Sequence, residues 1–371
     1  APTYKDDVNI VGRDDVENGS AIDITHNNKK IVVATEGDNH SIELESDVYG
    51  IKLGNDKEST DNVSINLNAA GNNVIKVSEN ADSNVGDGIN ISKNVNNGSV
   101  TLTAVGNNEI NATSKNGDAI YIDTGANAEV ILKAGALNKI VAGNNGIDNN
   151  GSQSITLTTD GANIITGGVA REETNDSNQG DGIRVQNSGS VAVNGSYNQI
   201  SGFDEGLFIH ASADAKEGIK ITANDADDNG LGNSIAGNDN GIESKGSAGI
   251  EVTAENGSNI IYGGNSAILN SGSGNIIITA GRRPDESGIS LLANYEGTDN
   301  LIGVKDGEYS VNGIESDGTG LTDVYAYHDN TIFGTDNGIL STDSGTINVT
   351  SGNDNIIGQY KDEEGVVHTS K

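Results

Sequence analysis

The chain has 371 residues, 21 basic against 54 acidic for a formal net charge of −33, with 51 glycines, two prolines and no Cys, Met or Trp. Without cysteine there is no disulfide framework, thiol nucleophile or Cys-ligated metal, and the acidity opposes binding to nucleic acid phosphates or anionic lipid surfaces. No apolar run is long enough to span a membrane, and a chain that opens at Ala1 and holds no Met reads as an excised or processed segment.

Apolar residues are only 33%, and low hydrophobicity with high net charge favours disorder. The arrangement of those residues opposes it, because they are mostly β-branched or Leu and recur in a fixed pattern. Residues 1–19 carry no clear repeat and read as a lead-in or cap that protects the first coil from edge pairing. From residue 20 to residue 358 the tripeptide Asn-x-Ile keeps returning. It is read at Asn73-Val74-Ile75, Asn108-Glu109-Ile110, Asn138-Lys139-Ile140 and Asn163-Ile164-Ile165. It goes on at Asn198-Gln199-Ile200, Asn233-Ser234-Ile235, Asn259-Ile260-Ile261, Asn330-Thr331-Ile332 and Asn355-Ile356-Ile357, with Asn300-Leu301-Ile302 as a variant. His40-Ser41-Ile42, preceded by Asn39, reads as an eleventh copy. The steps average about 31 residues, and the shortest are about 25.

Each period carries three apolar segments. One follows a glycine, as in Gly88-Ile89-Asn90-Ile91 and Gly182-Ile183-Arg184-Val185. The next alternates, as in Val100-Thr101-Leu102-Thr103-Ala104 and Ile250-Glu251-Val252-Thr253-Ala254. The third is the Asn-x-Ile segment, often closed by Gly, as at Gly303 and Gly358. Short β-branched segments of period two, separated by Gly, Asn, Asp and Ser, are strands joined by tight turns. One period offers too few inward residues for a core, so the periods must stack, like on like. Ala104, Ala134, Ala223, Ala254 and Ala280 then form one interior file, and Ile89, Ile120 and Ile183 another. The fold class is all-β: a right-handed parallel β-helix, or solenoid, with three strands per coil and about eleven coils. At ~4.8 Å per coil this is a stiff rod roughly 50 Å long. The Asn file satisfies polar groups at a corner, amide to amide. The tail, 359–371, holds Gly365-Val366-Val367, which reads as a tail or the start of a further coil.

Over residues 20–358 these columns resemble the right-handed parallel β-helix family with its asparagine ladders. The Asn/Thr/Gly-rich, cysteine-free, acidic composition is similar to a passenger domain of a Gram-negative autotransporter adhesin. That resemblance implies display at the bacterial cell surface or secretion, anchoring in the outer membrane through a region outside this chain, and a role in adhesion, aggregation or biofilm formation. Host matrix protein, glycan or sister copies would be the partners.

Periods longer than the minimum contain insertions, at 168–179, 210–217, 224–232, 282–299 and 305–311. Loops on a rigid scaffold carry partner contacts. The largest insertion holds adjacent Arg282 and Arg283, two of only five arginines. Further on, Tyr325-Ala326-Tyr327 puts two rings on one face, outward if Val324 and Ala326 point in, where aromatics anchor partners. These four residues are the candidate partner site. Thr103, Thr158, Thr222, Thr253, Thr279 and Thr350 form an outward column, too irregular in its neighbours for a lattice match with ice. Calcium is the one small ligand the sequence suggests. Asp225, Asp227 and Asn229 alternate before Gly230 like the opening of a calcium loop, but Ala236 stands where an EF-hand needs its last acid. Either another loop completes that ligand set or the segment is a solvated acidic turn.

No catalytic residue is assigned. A lyase or hydrolase of β-helix type is the rival reading. Lyases of acidic sugars need cationic groups and a base, whereas this surface repels polyuronates. Hydrolases need a carboxylate pair at a set separation, which sequence does not reveal among 54 acids. The expectation is a non-enzymatic adhesin.

Overall fold

The computed structural model describes residues 3–12, 19–78, 86–171, 180–281 and 298–371. Strands are short, follow one another along the chain, and fall into three large parallel sheets. One circuit through the three sheets is one coil, and the fold is the right-handed parallel β-helix expected, with about eleven coils. The chain divides into two compact units, residues 1–193 with 202–204, and residues 194–201 with 205–371.

In the first unit the interior consists of aliphatic files. Ile89, Ile120, Ile147 and Ile183 lie in register on one sheet. Ile75, Ile110, Ile140 and Ile165 do so on the second, and Leu67, Leu102, Leu132 and Leu157 on the third. All are fully buried. Each contributes about 1.5–3 kcal/mol relative to leaving it in water, and it does so only because a like side chain lies directly above and below. Ala104 stacks on Ala134 as expected, and the file passes to a buried Thr159 in the following coil. In the second unit Ala223, Ala254, Ala280 and Ala326 form the matching file.

The asparagine file is a hydrogen-bonded ladder. In the first unit Asn73, Asn108, Asn138 and Asn163 pass an amide N–H to the next Oδ1 at 2.9, 3.0 and 2.9 Å. In the second, Asn198, Asn233, Asn259, Asn300, Asn330 and Asn355 do the same at 2.8–2.9 Å. The other amide hydrogen goes to a backbone carbonyl, for example from Asn138 to Thr158 O at 3.0 Å and from Asn233 to Thr253 O at 2.9 Å. Asn supplies two donors and an acceptor on a short stem; aspartate has no amide donor.

His40-Ser41-Ile42 does not join this ladder. Ile42 stands opposite Asn73, and Leu44 opposite Ile75, two residues away from the register the tripeptide suggests. Both registers keep apolar side chains inward, because the strand period is two. The consequence is visible at the ladder's first rung, where Asn73 Oδ1 is buried without a hydrogen bond. Residues 3–4 and 8–11 pair in parallel with later coils, Val8 opposite Ile42. At the other end Gln359–Lys361 and Val367–Thr369 pair antiparallel as a hairpin. Its Tyr360 and His368 pack on Tyr309 and Phe333, with the Tyr309 and His368 ring centroids 4.9 Å apart. The glycines that close the third segment have a physical reason: Gly303 and Gly358 adopt φ of 90° and 76°, where a Cβ is strained.

Candidate functional site

The site begins with a polar residue placed two positions before the first isoleucine of the glycine-led strand. In the first unit the strand Asp87–Ile91 has Asp87 there; the strand Ile120–Ile122 has Asp118, and the strand Ile147–Asn149 has Asn145. Each side-chain oxygen accepts the backbone N–H of its counterpart in the following coil. Asp118 N–H donates to Asp87 Oδ1 at 2.9 Å, Asn145 N–H to Asp118 Oδ1 at 2.8 Å, and Asp181 N–H to Asn145 Oδ1 at 2.9 Å. This is a second ladder, of side chain to main chain, and it fastens a corner that would otherwise hold orphaned amides.

The outward positions of the same strands form a cross-strand file, Asp23, Lys52, Asn90, Tyr121, Asp148 and Arg184. Between the two rows lies a groove of about 290 Å³, lined by Tyr49, Lys52, Asp56, Asp87, Asn90, Ser92, Asn116, Asp118, Tyr121 and Asp123. Asp87 and Asp118 are 4% and 6% exposed, so their carboxyls open on the groove with little water around them.

Burial sets the chemistry. It pushes Asp87 up to about 6, against hydrogen bonds from Asn90 and the Asp118 N–H and the charge of Lys52. Asp118 is held well above the carboxylate range, by burial first and then by Asp148 and Asp87; the Asn145 and Asn144 hydrogen bonds oppose this. Asp148 rises to about 6 through burial, opposed by Arg184. Tyr49 is pushed up to about 12 by burial and by Asp87, Asp56 and Asp23, and Tyr121 is also raised, by burial and then Asp123. Desolvation without full cationic compensation favours the neutral acid. The groove thus sets Asp118, whose carboxyl is driven toward the neutral acid, beside Asp87, raised to about 6, and beside un-ionised phenols.

The residues marked by sequence lie elsewhere. Arg282 and Arg283 fall outside the described residues. Val324 and Ala326 point inward and are buried. Tyr325 stands between Thr279 and Thr350 on the outer side but is only 9% exposed, and Tyr327, just past the strand, is half-buried. The threonine column is interrupted by Tyr325 and, in the first unit, by Lys133 between Thr103 and Thr158. Asp227 Oδ1 accepts the N–H of Asn229 at 2.8 Å and of Leu231 at 2.9 Å, so this oxygen caps its own turn. Asp225 and Asn229 are exposed.

Metal-competent side chains do meet in the second unit. Asp299, His328 and Asp329 place one ligand atom each within 4.8 Å of one another. His328 Nδ1 is 2.9 Å from Asp299 Oδ1 and 3.2 Å from Asp329 Oδ2. An imidazole with two carboxylates suits zinc or manganese better than calcium, which takes oxygen ligands.

Sequence reading passes over the groove although part of its signal is present. Asp-Gly-Ile at 87–89 and 181–183, Asp-Ala-Ile at 118–120 and Asn-Gly-Ile at 145–147 repeat the polar residue that heads the strand. Comparison with family models, with curated proteins and with solved structures finds no match.

Proposed function

We propose that the chain is a non-enzymatic bacterial adhesin, displayed at the cell surface or secreted, that binds host matrix or glycans or associates with sister copies in aggregation and biofilm formation. The observation that carries this reading is repetition in register. Parallel coils turn outward residues into files at one-strand spacing, such as Lys30, Ser64, Ser99 and Glu129, or Thr222, Thr253 and Thr279. Such files suit many weak polar contacts acting together, whose strength comes from multiplicity. The net charge of −33 selects neutral glycans, basic partners or cation-bridged surfaces. No helix among the described residues is long and apolar enough to cross a membrane, and anchoring through an outer-membrane region outside this chain belongs to the same proposal. The test is retention of beads coated with the purified chain on matrix proteins and glycans, with particle sizing against concentration. Retention or concentration-dependent growth supports the reading; inert, strictly monomeric protein refutes it.

One observation favours a second reading, a polysaccharide hydrolase or lyase. Asp87 and Asp118 are buried carboxyls of raised pKa facing a groove with Tyr49 and Tyr121, the environment in which a carboxylic acid donates a proton near neutral pH. New reducing or unsaturated ends after incubation with neutral and acidic polysaccharides would support it; their absence across the panel would retire it.

A further inference from the structure

On one sheet of the first unit the outward side chains carry little charge, although the chain holds 54 acids and 21 bases. The strand Val95–Ala104 presents Ser99, Thr101 and Thr103, and the strand Ser154–Thr159 presents Ser154, Thr156 and Thr158. Between them the strand Asn127–Ala134 presents Glu129, Ile131 and Lys133. Glu129 and Lys133 are exposed, and among the described residues neither makes an ion pair. Four residues apart on one strand, they are roughly 13 Å from each other and do not meet. Their neighbours across the strands include Ser99, Thr103 and Thr158, none of them charged. In the second unit, by contrast, outward opposite charges stand on adjacent strands and close within the chain, Lys220 Nζ lying 3.3 Å from Glu251 Oε2.

We propose that this face is the contact for a second copy of the chain, the coils of the two copies stacked in the same direction about a two-fold axis that runs between them along that direction, level with Ile131. The inference rests on the adhesive reading and names the surface for its self-associating form. A two-fold contact is isologous: where one residue meets another, the second meets the first. Rotation about this axis reverses the strands and keeps the order of the coils. Glu129 of each copy then faces Lys133 of the other, Ile131 faces Ile131, Ser99 faces Thr103 and Ser154 faces Thr158. An axis along the strands would set Glu129 against Glu129 and Lys133 against Lys133, which repulsion opposes. Lys30, a further charge in the same file as Glu129, would face Ala34. Two copies at −33 repel each other, and this face lets them approach without setting acid against acid. With the strand Thr60–Ala69 it covers four strands, about 20 Å by 20 Å or about 400 Å² on each copy. That is about half of the ~800 Å² that a standard interface buries on each partner. The contact is therefore weak and reversible, and gains strength where many copies are displayed together.

The test is sedimentation equilibrium of the full chain at neutral pH in ~0.15 M salt, where repulsion beyond ~8 Å is screened. The native chain should show a reversible monomer–dimer equilibrium at concentrations up to about 1 mM. Glu129→Lys and Lys133→Glu should each weaken the dimer about tenfold or more, because each sets like charges together at both contacts. The two variants move the net charge in opposite directions, so a loss in both does not come from net charge. Mixed in equal amounts they should pair with each other at about native strength, since each supplies the charge that the other lacks. Both positions are exposed, so circular dichroism should be unchanged. Lys139→Glu, exposed on a neighbouring sheet, makes the same charge change as Lys133→Glu and should leave association alone. A native chain that stays monomeric throughout, a single variant that dimerises like the native chain, or a mixture no tighter than its components overturns the proposal. Beads retained on matrix proteins or glycans by a strictly monomeric chain overturn this interface and leave the adhesive function standing.

Discussion

Replacing Asn138 by aspartate keeps the shape of the side chain and removes both amide donors. In the native ladder Asn138 accepts from Asn108 at 3.0 Å and donates to Thr158 O at 3.0 Å and to Asn163 Oδ1 at 2.9 Å, and it is fully buried. The variant retains the acceptor but takes the donor away from the buried Asn163 Oδ1 and from the part-buried Thr158 carbonyl. At about 1–3 kcal/mol for each buried group left unsatisfied, the loss is about 2–6 kcal/mol. No cavity opens, and the cost of burying an ionisable carboxyl adds to the hydrogen-bond loss, so the whole effect exceeds that loss. The comparison is Asn62→Asp. Asn62 belongs to an exposed stack, with φ of 54°, and donates to Asn28 Oδ1 at 3.1 Å. Water replaces what that variant loses, so it should cost less than about 1 kcal/mol. Urea denaturation at neutral pH with a common slope gives both values. A cost for Asn138→Asp as small as that for Asn62→Asp would show that the buried ladder is a packing coincidence, and the reasoning would fail.

Asp87 and Asp148 titrate near 6 in the folded chain and near 3.8 when exposed. The unfolded chain therefore gives up these protons first, and stability falls as pH rises from about 4 to about 6, by about 3 kcal/mol per group, then levels off. Urea midpoints against pH should show this slope and a shallower one in Asp87→Asn; stability rising over that interval in the native chain but not in the variant would contradict the assignment. Asp227→Ala should lose about 1–2 kcal/mol because the oxygen caps its own turn, equally with calcium and with chelator; a loss seen only with calcium would place an ion there instead. Tyr325→Ala should behave as a core truncation, costing about 3 kcal/mol in thermal or urea unfolding, whereas the half-buried Tyr327→Ala should cost less than about 1 kcal/mol. Equal costs would refute the difference in burial.

The repeat of Asn-x-Ile, the three short apolar segments and their order are written along the chain. Together they suffice for the parallel solenoid, the inward files of Ile and Ala, and the amide ladder. The reason is that a coil with so few inward residues has no stable state except stacked on its own likeness, so periodicity and tertiary structure are nearly the same information. Register at the first coils is different. Ile42 as the end of a tripeptide and Ile42 opposite Asn73 both satisfy a period of two, so the pattern alone does not choose between them. The groove is different again. Asp87, Asp118 and Asp148 are separated by about thirty residues at each step and look like any of 54 acids. Only stacking brings Asp87 and Asp118 into one row and removes the water around all three. Burial and charge neighbourhood are properties of the assembled coils, so the proton affinity of those carboxyls was decided by the tertiary structure alone.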